Sequence, residues 1–368
     1  AAPLAAAAAE ARAALARVRA QAHCGETRFA FVVTGWMPAE RVDALRADLA
    51  ARWGDRLALF ASPPPPARWG EVPVVLRNPP ALRPFQRLLA LVPLPRYGSI
   101  DPTAWVAIGF PLLFGFVLGD VAFGLLGLAV AAVALRRRWG GAVGYDVATI
   151  ALACSASALV FGVLFGEALG ELGAHVGLRP LVLDRRHGVM PFLGAAVALG
   201  GVHVVAGTAL GVVTALRGGH RRHAAGRAAR LVLFVAAAAW IAARVGALPA
   251  AAATPAIVAG CAGLAGAVAA EGPLALLDLV LGVGNVLSYS RLMALGLASV
   301  MLAEVANTVA VRVEPAAAGL VLGVLLHAVN FTLGLVSPTV AALRLHYVEF
   351  FEKFYDEGDV PWRPFALA

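Results

Sequence analysis

The stretch that decides the fold is NVLSYSRLMALGLASVM, residues 285–301, which places an arginine inside a long apolar run. The run covers residues 273–309, and Arg291 lies at its midpoint. An arginine at the centre of a bilayer costs at least about 2.5–3.5 kcal/mol on insertion scales. It cannot escape this cost by deprotonation, because its pKa stays above about 12. The sequence therefore indicates either a structural ion pair inside a helix bundle or a fixed cation that faces a mobile carboxylate or a water-filled path.

The composition of the whole chain is that of a membrane protein. Its 368 residues are 60% hydrophobic and 14% charged, whereas soluble domains are about 45–50% apolar and about 25% charged. Lipid must therefore solvate most of the chain. The net charge of +8 comes from arginines scattered through loops, which is typical of cytoplasmic loops and not of nucleic-acid binding. Cys24, Cys154 and Cys261 have no metal-ligand spacing, so we expect neither a disulfide framework nor a metal or cofactor site.

Long apolar runs fill the chain after residue 103. The first has 32 residues, which is too long for one crossing of a hydrocarbon core about 30 Å thick. It contains Gly119 and Asp120, so we expect two short helices that meet there, and eight membrane segments in all. The basic loops 136–144 and 217–230 then lie on the same side as both termini, which the positive-inside rule makes cytoplasmic. The runs are residues 104–135, 146–166, 190–216, 229–246, 250–270, 273–309 and 316–346.

The predicted fold class is mainly α: a polytopic membrane helix bundle whose last two helices are long and tilted, with a small N-terminal cytoplasmic α/β lobe. We expect a lobe and connector at residues 1–103, a transmembrane domain at 104–348 and a cytoplasmic tail at 349–368. Within the lobe, the pattern predicts strands at 27–33 and 56–60 and a helix at 38–52. Residues 1–22 resemble the end of a longer helix, so the chain either begins inside a larger protein or belongs to a shortened one.

Charged and polar residues in the 273–309 run are candidates for a proton path. Asp278 and Glu304 each lie 13 residues from Arg291, about 20 Å along a helix in opposite directions. Their positions near the two ends of the run would suit the entry and the exit of protons. Ordinary acids at the two membrane interfaces would occupy the same positions. Ser288, three residues before Arg291, is a further candidate lining residue.

The last apolar run carries a stripe of polar and small residues on one helical face. A stripe of small residues alone would indicate close helix packing, whereas the polar groups and the arginine favour a hydrated or partner-facing surface. His327, Asn330 and Ser337 are thus candidate lining residues, and Arg344 lies near the cytoplasmic end. The stripe consists of His327, Asn330, Gly334, Ser337, Ala341 and Arg344.

The remaining polar residues of the membrane region suit structural roles. Asp120, beside Gly119, is expected to cap the second short helix. His203 is expected to be a core histidine with its hydrogen bonds satisfied, and Glu167 to be interfacial. Neither a phosphate-binding loop nor a hydrolytic constellation is visible in the sequence, so we expect no catalysis by this chain alone.

Several long motifs resemble the membrane subunit of V-type and archaeal-type rotary ATPases, called subunit a or subunit I. FPLLFGFVLGDVAFGLL at 110–126 is similar to its first-helix signature. LSYSRLMALGLA at 287–298 and LRLHYVEFFEKFY at 343–355 resemble its two arginine motifs. VTGWMPAERVDALRADLA at 33–50 and the segment 78–103 resemble the region before the membrane domain. The motifs occur in the family's order over most of residues 30–365.

The resemblance implies a multi-pass stator subunit of a prokaryotic plasma membrane that couples proton transport to rotation in ATP synthesis or hydrolysis. Its implied partners are a proteolipid rotor ring, peripheral stalk subunits, a central-stalk collar subunit and, indirectly, the ATPase head. Arg291 and Arg344 occupy the family's two arginine positions, beside a ring carboxylate that takes protons from one aqueous half-channel and releases them into another. Gly334, Ala341 and Ser299 replace polar residues of some relatives, which alters the expected proton path.

A stand-alone secondary transporter with a buried ion pair is the main alternative interpretation. Such proteins often carry internal repeats with matching broken helices, and the sequence offers a break only in the first apolar run. A membrane scaffold without transport is a further alternative, but it would not need a centred arginine.

Overall fold

The computed structural model describes residues 24–358, 360–362 and 364, together with 7, 10, 11, 13–15, 17 and 18. The chain divides into two compact units, one of residues 1–75 with 357–368 and one of residues 76–356.

The first unit is a small α/β arrangement. Strand β1 (Cys24–Glu26) pairs antiparallel with β2 (Phe31–Val33), with Cys24 opposite Val33. A 3-10 turn (Ala39–Arg41) leads into helix α1 (Val42–Trp53). Further 3-10 turns lie at Gly54–Arg56 and Pro66–Glu71. The helix predicted at 38–52 is thus confirmed, and the strand predicted at 27–33 is confirmed for its last three residues.

The strand predicted at residues 56–60 is wrong. Residues 57–60 have no regular structure, and the Phe60 side chain is 92% exposed. A strand needs a hydrogen-bonding neighbour, and none of the described residues pairs with this segment. The helix predicted at 1–22 falls largely outside the described residues, and those described between 7 and 18 are helical.

The second unit is a bundle of apolar helices, which confirms the predicted fold class. In its described residues, six helical spans are long and apolar enough to cross a membrane, and two shorter apolar helices of 16 residues precede them. The helices are α2 (Gln86–Leu89), α3 (Thr103–Leu118), α4 (Val121–Arg136), α5 (Gly141–Phe165), α6 (Leu172–His175), α7 (Val189–Arg217), α8 (Arg221–Arg244), α9 (Ala253–Glu271), α10 (Ala275–Leu287), α11 (Ser290–Arg312) and α12 (Ala316–Arg344). A π-helical segment (Leu345–Phe350) and a 3-10 turn (Phe351–Lys353) continue α12.

The first apolar run breaks where the sequence predicts. Gly119 adopts the left-handed conformation with φ 33°, which glycine reaches without steric cost. Asp120 then begins α4, and its Oδ1 accepts a hydrogen bond of 3.0 Å from the backbone N–H of Phe123. The Val121 N–H donates to the Glu167 carbonyl at 2.9 Å, so this break lies at the same end of the bundle as the loop after α5.

The 273–309 run differs from the single helix that we predicted. It forms α10 and α11, separated by Ser288 and Tyr289, so Arg291 lies in the first turn of α11. The Tyr289 side chain is completely buried against α7. There a Cβ on Gly200 would lie 2.5 Å from the tyrosine ring, so glycine provides the room for it. The tertiary contact of Tyr289 accompanies the interruption, which hydrophobicity alone does not reveal.

Close packing between helices uses small residues. A Cβ added to Gly124 of α4 would lie 2.7 Å from the backbone nitrogen of Leu159 in α5. A Cβ on Gly323 of α12 would lie 2.6 Å from Ala310 of α11. Such contacts, typical of helices in lipid, hold α4 against α5 and α12 against α11. The latter pair and α10 carry the candidate functional residues.

Candidate functional site

Arg291 is a cation without an anionic partner among the described residues. It lies in the first turn of α11 and is half-buried. Its Nη1 atom is buried and has no hydrogen-bond acceptor. None of the described carboxylates lies within 4.0 Å of its guanidinium. A buried donor without an acceptor is rare in native structures and needs an explanation. The acceptor that Arg291 lacks must therefore come from outside this part of the chain or from solvent.

Arg344 and Glu349 frame the same region. Arg344 is the last residue of α12 and is exposed. Glu349, in the π-helical segment, is 1% exposed, and its Oε2 has no hydrogen-bond partner among the described residues. The charges of Arg344 and Arg291 both act on Glu349, which also lies close to Ser288. A carboxylate of this chain is thus near both arginines, but it forms no ion pair with either.

Three polar side chains adjoin this region, and we call His203, which is half-buried, and Tyr289 and His346, which are buried, the histidine cluster. The Nδ1 atom of His203 and the hydroxyl of Tyr289 are hydrogen-bonded, as expected for a satisfied core histidine. The rings of His203 and His346 lie 4.9 Å apart between centroids. The Nδ1 atom of His346 lies 2.8 Å from the Ala342 carbonyl, which fixes a proton on Nδ1. Its Nε2 is therefore a buried acceptor without a partner among the described residues.

A second set of polar contacts lies further along α11, toward its C-terminal end. The Ser299 hydroxyl donates to the Asn330 Oδ1 at 3.1 Å, and the Asn330 amide donates back to the Ser299 carbonyl at 2.9 Å. The Nε2 of His327 lies 2.9 Å from the Asn307 Oδ1, and the Asn307 amide donates to the Leu169 carbonyl at 2.8 Å. We call Ser299, Asn307, His327 and Asn330 the amide cluster.

The polar stripe of α12 faces its own bundle, so a partner-facing stripe is wrong for most of its length, whereas the alternative of a hydrated surface stays a prediction. Asn330, Gly334 and Ala341 are buried, and a Cβ on Gly334 would lie 2.6 Å from Leu118 of α3. Ser337 is half-buried, and only Arg344 of the stripe is exposed. Periodicity identifies residues that share a face. The direction of this face is set by the small residues of α12, which pack closely against α3 and α11.

The exposed faces of α10 and α12 are apolar. Large hydrophobic side chains cover them from one end to the other, which is more apolar surface than a water-exposed protein leaves uncovered. They include Leu276, Val280, Leu281, Leu287, Leu320, Val324, Leu333, Val336 and Val340. Lipid or an apolar partner must cover these faces.

The other predicted lining residues are dispersed. The Asp278 carboxylate pairs with the Arg230 guanidinium at 2.7 Å, at the beginning of α10 and away from Arg291. Glu304 is half-buried on α11 and forms no ion pair with the described residues. Ser288 donates to the Gly284 carbonyl at 3.0 Å.

Sequence reasoning missed a buried arginine in the loop between α5 and α7. Arg185 is 1% exposed, and its guanidinium donates to both carboxylate oxygens of Glu167. It also donates to the carbonyls of Val117 and Gly119, at 2.9 Å each. Glu167, which we expected at the membrane interface, is thus paired and buried within the protein. Arg185 thereby ties the α3–α4 break to the end of α5.

The loop that carries Arg185 is held by its own polar contacts. Asp184 accepts hydrogen bonds of 2.9 Å from the backbone N–H of Arg186 and from the His187 ring. Burial alone would raise the pKa of Asp184, but these hydrogen bonds lower it below its ordinary value. Asp184 is thus an ionised anchor for the loop at neutral pH.

The fold and these residues define a class: a multi-pass helical membrane protein in which Arg291 and Arg344, at one site, form no ion pair with a described carboxylate. No family model matches the chain. It is 32% identical to the A-type ATP synthase subunit I of Thermococcus kodakarensis and 30% identical to that of Pyrococcus horikoshii, over 92% of this chain in both cases. A V-type ATP synthase subunit I 2 of Treponema pallidum is 30% identical over 38% of the chain and 32% of its own length.

The predicted resemblance is confirmed: the chain is homologous to subunit I of A-type and V-type ATP synthases. It spans about half the length of the first two relatives, 54% in each case.

Proposed function

We propose that this chain is the membrane part of a stator subunit that couples proton transport to the rotation of a proteolipid ring. The observation that carries the proposal is Arg291, whose buried Nη1 lacks an acceptor among the described residues. The exposed apolar faces of α10 and α12 support it. A rotor ring that turns past these faces would cover them, and a carboxylate of the ring would supply the acceptor that the Arg291 Nη1 lacks.

The physical logic rests on the permanence of the arginine charge. A ring carboxylate that faces lipid must be neutral, because burial of its charged form is very costly. Beside a guanidinium, the charged form is stabilised and the proton leaves. A lysine in the same place can lose its own proton when desolvated, whereas an arginine cannot. Arg291 would therefore discharge each ring carboxylate and block a direct proton leak, with Arg344 as a second cation for the same carboxylate.

Two proton half-channels would then lie on opposite sides of Arg291. We assign the histidine cluster, Ser288 and Glu349 to the half-channel that opens at the end with the α12 C-terminus. We assign the amide cluster and Glu304 to the other, because Ser299 is about 12 Å further along α11. The side chains in both sets can accept or donate hydrogen bonds, as a chain of water molecules requires. Asp278, Ser337 and His327 stay predicted lining residues, and Asp120 is proposed to be purely structural.

The proposed orientation places both termini in the cytoplasm of a prokaryote. The arginine-rich connections before α5 and α8 lie at the end of the bundle that carries the α12 C-terminus, as the positive-inside rule requires. Peripheral stalk subunits, a central-stalk collar subunit and the ATPase head would be met on that side. In this proposal the chain performs no chemistry on a nucleotide.

The proposal is tested with the intact complex reconstituted into vesicles, where ATP-driven acidification is measured. Arg291→Lys is expected to abolish acidification while ATP hydrolysis and subunit composition persist. Arg312→Lys, at the exposed end of the same helix, is the matched control and should acidify at the wild-type rate. Acidification by Arg291→Lys at the rate of this control would refute the role of Arg291.

Glu349 favours a second candidate function, a stand-alone transporter in which Arg291 and Glu349 form a proton-linked pair. This carboxylate lies near both arginines and is almost completely buried. Purification of the protein from its native membrane discriminates between the two functions. Only the stator requires a proteolipid ring and stalk subunits to purify with it.

A further inference from the structure

A cavity of about 530 Å³ lies where α8 begins and α9 ends. Its polar wall is mostly basic and comes from three helices. The polar lining consists of Arg222, His223, Arg227 and Arg230 from α8, Glu271 from α9 and Asp278 from α10.

Arg230 forms ion pairs with both acids of this cavity. Its Nη2 lies 3.0 Å from the Glu271 carboxylate and its Nη1 lies 2.7 Å from that of Asp278. Gly226 permits the approach of α9, because a Cβ there would lie 2.5 Å from the Glu271 carboxyl group. The acids therefore fix Arg230 between three helices, and neither of them forms an ion pair with Arg222 or Arg227.

Arg222 and Arg227 keep most of their hydrogen-bonding capacity. The Nε of Arg222 donates to the Ala270 carbonyl at 2.6 Å, and the Nη1 of Arg227 donates to the Gly211 carbonyl at 2.8 Å. A guanidinium has five N–H donors in a planar fork, so most donors of each remain for a ligand. Three guanidinium groups against two carboxylates leave a net positive charge.

One flank of the cavity is apolar and faces outward. Leu274, which lines the cavity, is 74% exposed, and Leu277 and Val280 of α10 beside it are also exposed. An amphiphile with an anionic head and apolar chains would contact the arginines and this flank at the same time. Basic pockets between membrane helices are suited to phosphate-bearing lipid headgroups.

We propose that this cavity is a binding site for a phosphate group, held by Arg222 and Arg227 in charge-assisted hydrogen bonds. The phosphate is carried either by the headgroup of an anionic phospholipid, for which the apolar flank is suited, or by a soluble phosphate. The phosphate site does not depend on the proposed proton path, because Asp278 is the one residue of its lining that was predicted to line that path, and Arg222 and Arg227 were not.

The test uses the intact complex, purified in a phosphorus-free detergent. Binding of radiolabelled phosphatidylglycerol and of radiolabelled inorganic phosphate is measured separately by scintillation proximity. The double variant Arg222→Gln/Arg227→Gln is expected to bind at least about tenfold more weakly, a loss of about 1.4 kcal/mol. The control Arg136→Gln/Arg137→Gln removes the same charge from an exposed basic turn at the same end of the bundle and should bind like wild type.

A loss confined to the lipid supports a headgroup site, and a loss confined to inorganic phosphate supports a site for a soluble ligand. Equal binding of both probes by wild type, cavity variant and control overturns the proposal. If the cavity variant does not assemble, the wild-type complex is labelled with a phosphatidylglycerol that carries a photoreactive headgroup. Labelling concentrated at residues 217–230 and 270–278 supports the site, whereas labelling spread evenly over the apolar surface overturns it.

Discussion

Replacement of Arg185 by methionine is expected to destabilise the bundle more than any exposed substitution, although Arg185 lies far from Arg291 in the chain. The change removes both hydrogen bonds to Glu167 and those to the carbonyls of Val117 and Gly119. It also removes the guanidinium from the Phe165 ring, whose centroid is 4.6 Å away. Methionine keeps a comparable apolar volume, so the loss is mainly electrostatic.

The magnitude follows from the carboxylate that is left behind. Breaking a buried ion pair by removal of one partner costs about 3–5 kcal/mol, because the other charge stays buried and unpaired. In globular domains of 150–250 residues, 1 kcal/mol corresponds to about 2–4 °C in melting temperature. We therefore expect the apparent Tm of the complex to fall by roughly 10 °C for Arg185→Met.

The assay is thermal unfolding of the purified complex, followed through the loss of this chain from the soluble assembly. Arg179→Met, in the same loop but exposed, is the matched control and should melt within about 2 °C of wild type. The double variant Arg185→Met/Glu167→Met should recover most of the loss, because it leaves no unpaired charge. An Arg185→Met complex that melts like the Arg179→Met control would refute this reasoning, as would a double variant less stable than either single variant.

Three further substitutions test the helix break, the helix packing and the proposed half-channel. Asp120→Ala should lower stability by about 0.5–2 kcal/mol through loss of the α4 cap, whereas Asp120→Asn should cost only a few tenths; the melting assay separates them. Gly124→Ala should cost about 1–3 kcal/mol because its Cβ would overlap the backbone of α5, whereas Gly201→Ala, in open space, should not lower the melting temperature. Glu349→Gln should slow ATP-driven acidification at least about tenfold through loss of a proton acceptor, with Glu352→Gln in the adjoining 3-10 turn as the unaffected control.

The features that sequence predicted correctly have local causes. The break between α3 and α4 was predictable because Gly119 supplies the left-handed conformation and Asp120 the cap, in adjacent positions. The membrane segments were predictable because each is a long apolar run in its own right. The family was recognised because its motifs are long and keep their order along the chain.

The features that sequence missed depend on contacts between distant residues. The interruption before α11 accompanies the burial of Tyr289 against α7, whose His203 is 86 residues away in the chain. The Arg185–Glu167 pair joins residues 18 positions apart in a loop, where no periodicity operates. The stripe on α12 was recognised as one face, but its direction toward α3 and α11 is a property of the whole bundle.

The candidate site was predicted in part. Arg291 and Arg344 stood out because a permanent charge in an apolar run is costly. Glu349 and His346 lie within the second arginine motif, but Glu349 follows the last apolar run and His346 is its final residue, so neither was counted among the candidate residues. Both residues lie within one or two helical turns of Arg344, and a search for polar residues at that spacing from a membrane arginine would have identified them.

The central claim is that the acceptor for Arg291 is a carboxylate from a neighbouring rotor subunit. The most direct measurement is the distance from the Arg291 guanidinium to each nearby carboxylate in a structure of the assembled membrane complex. We expect a carboxylate of another subunit within hydrogen-bonding reach of Arg291 or separated from it by one water molecule. An ion pair between Arg291 and Glu349, closed off from every neighbouring subunit, would contradict it.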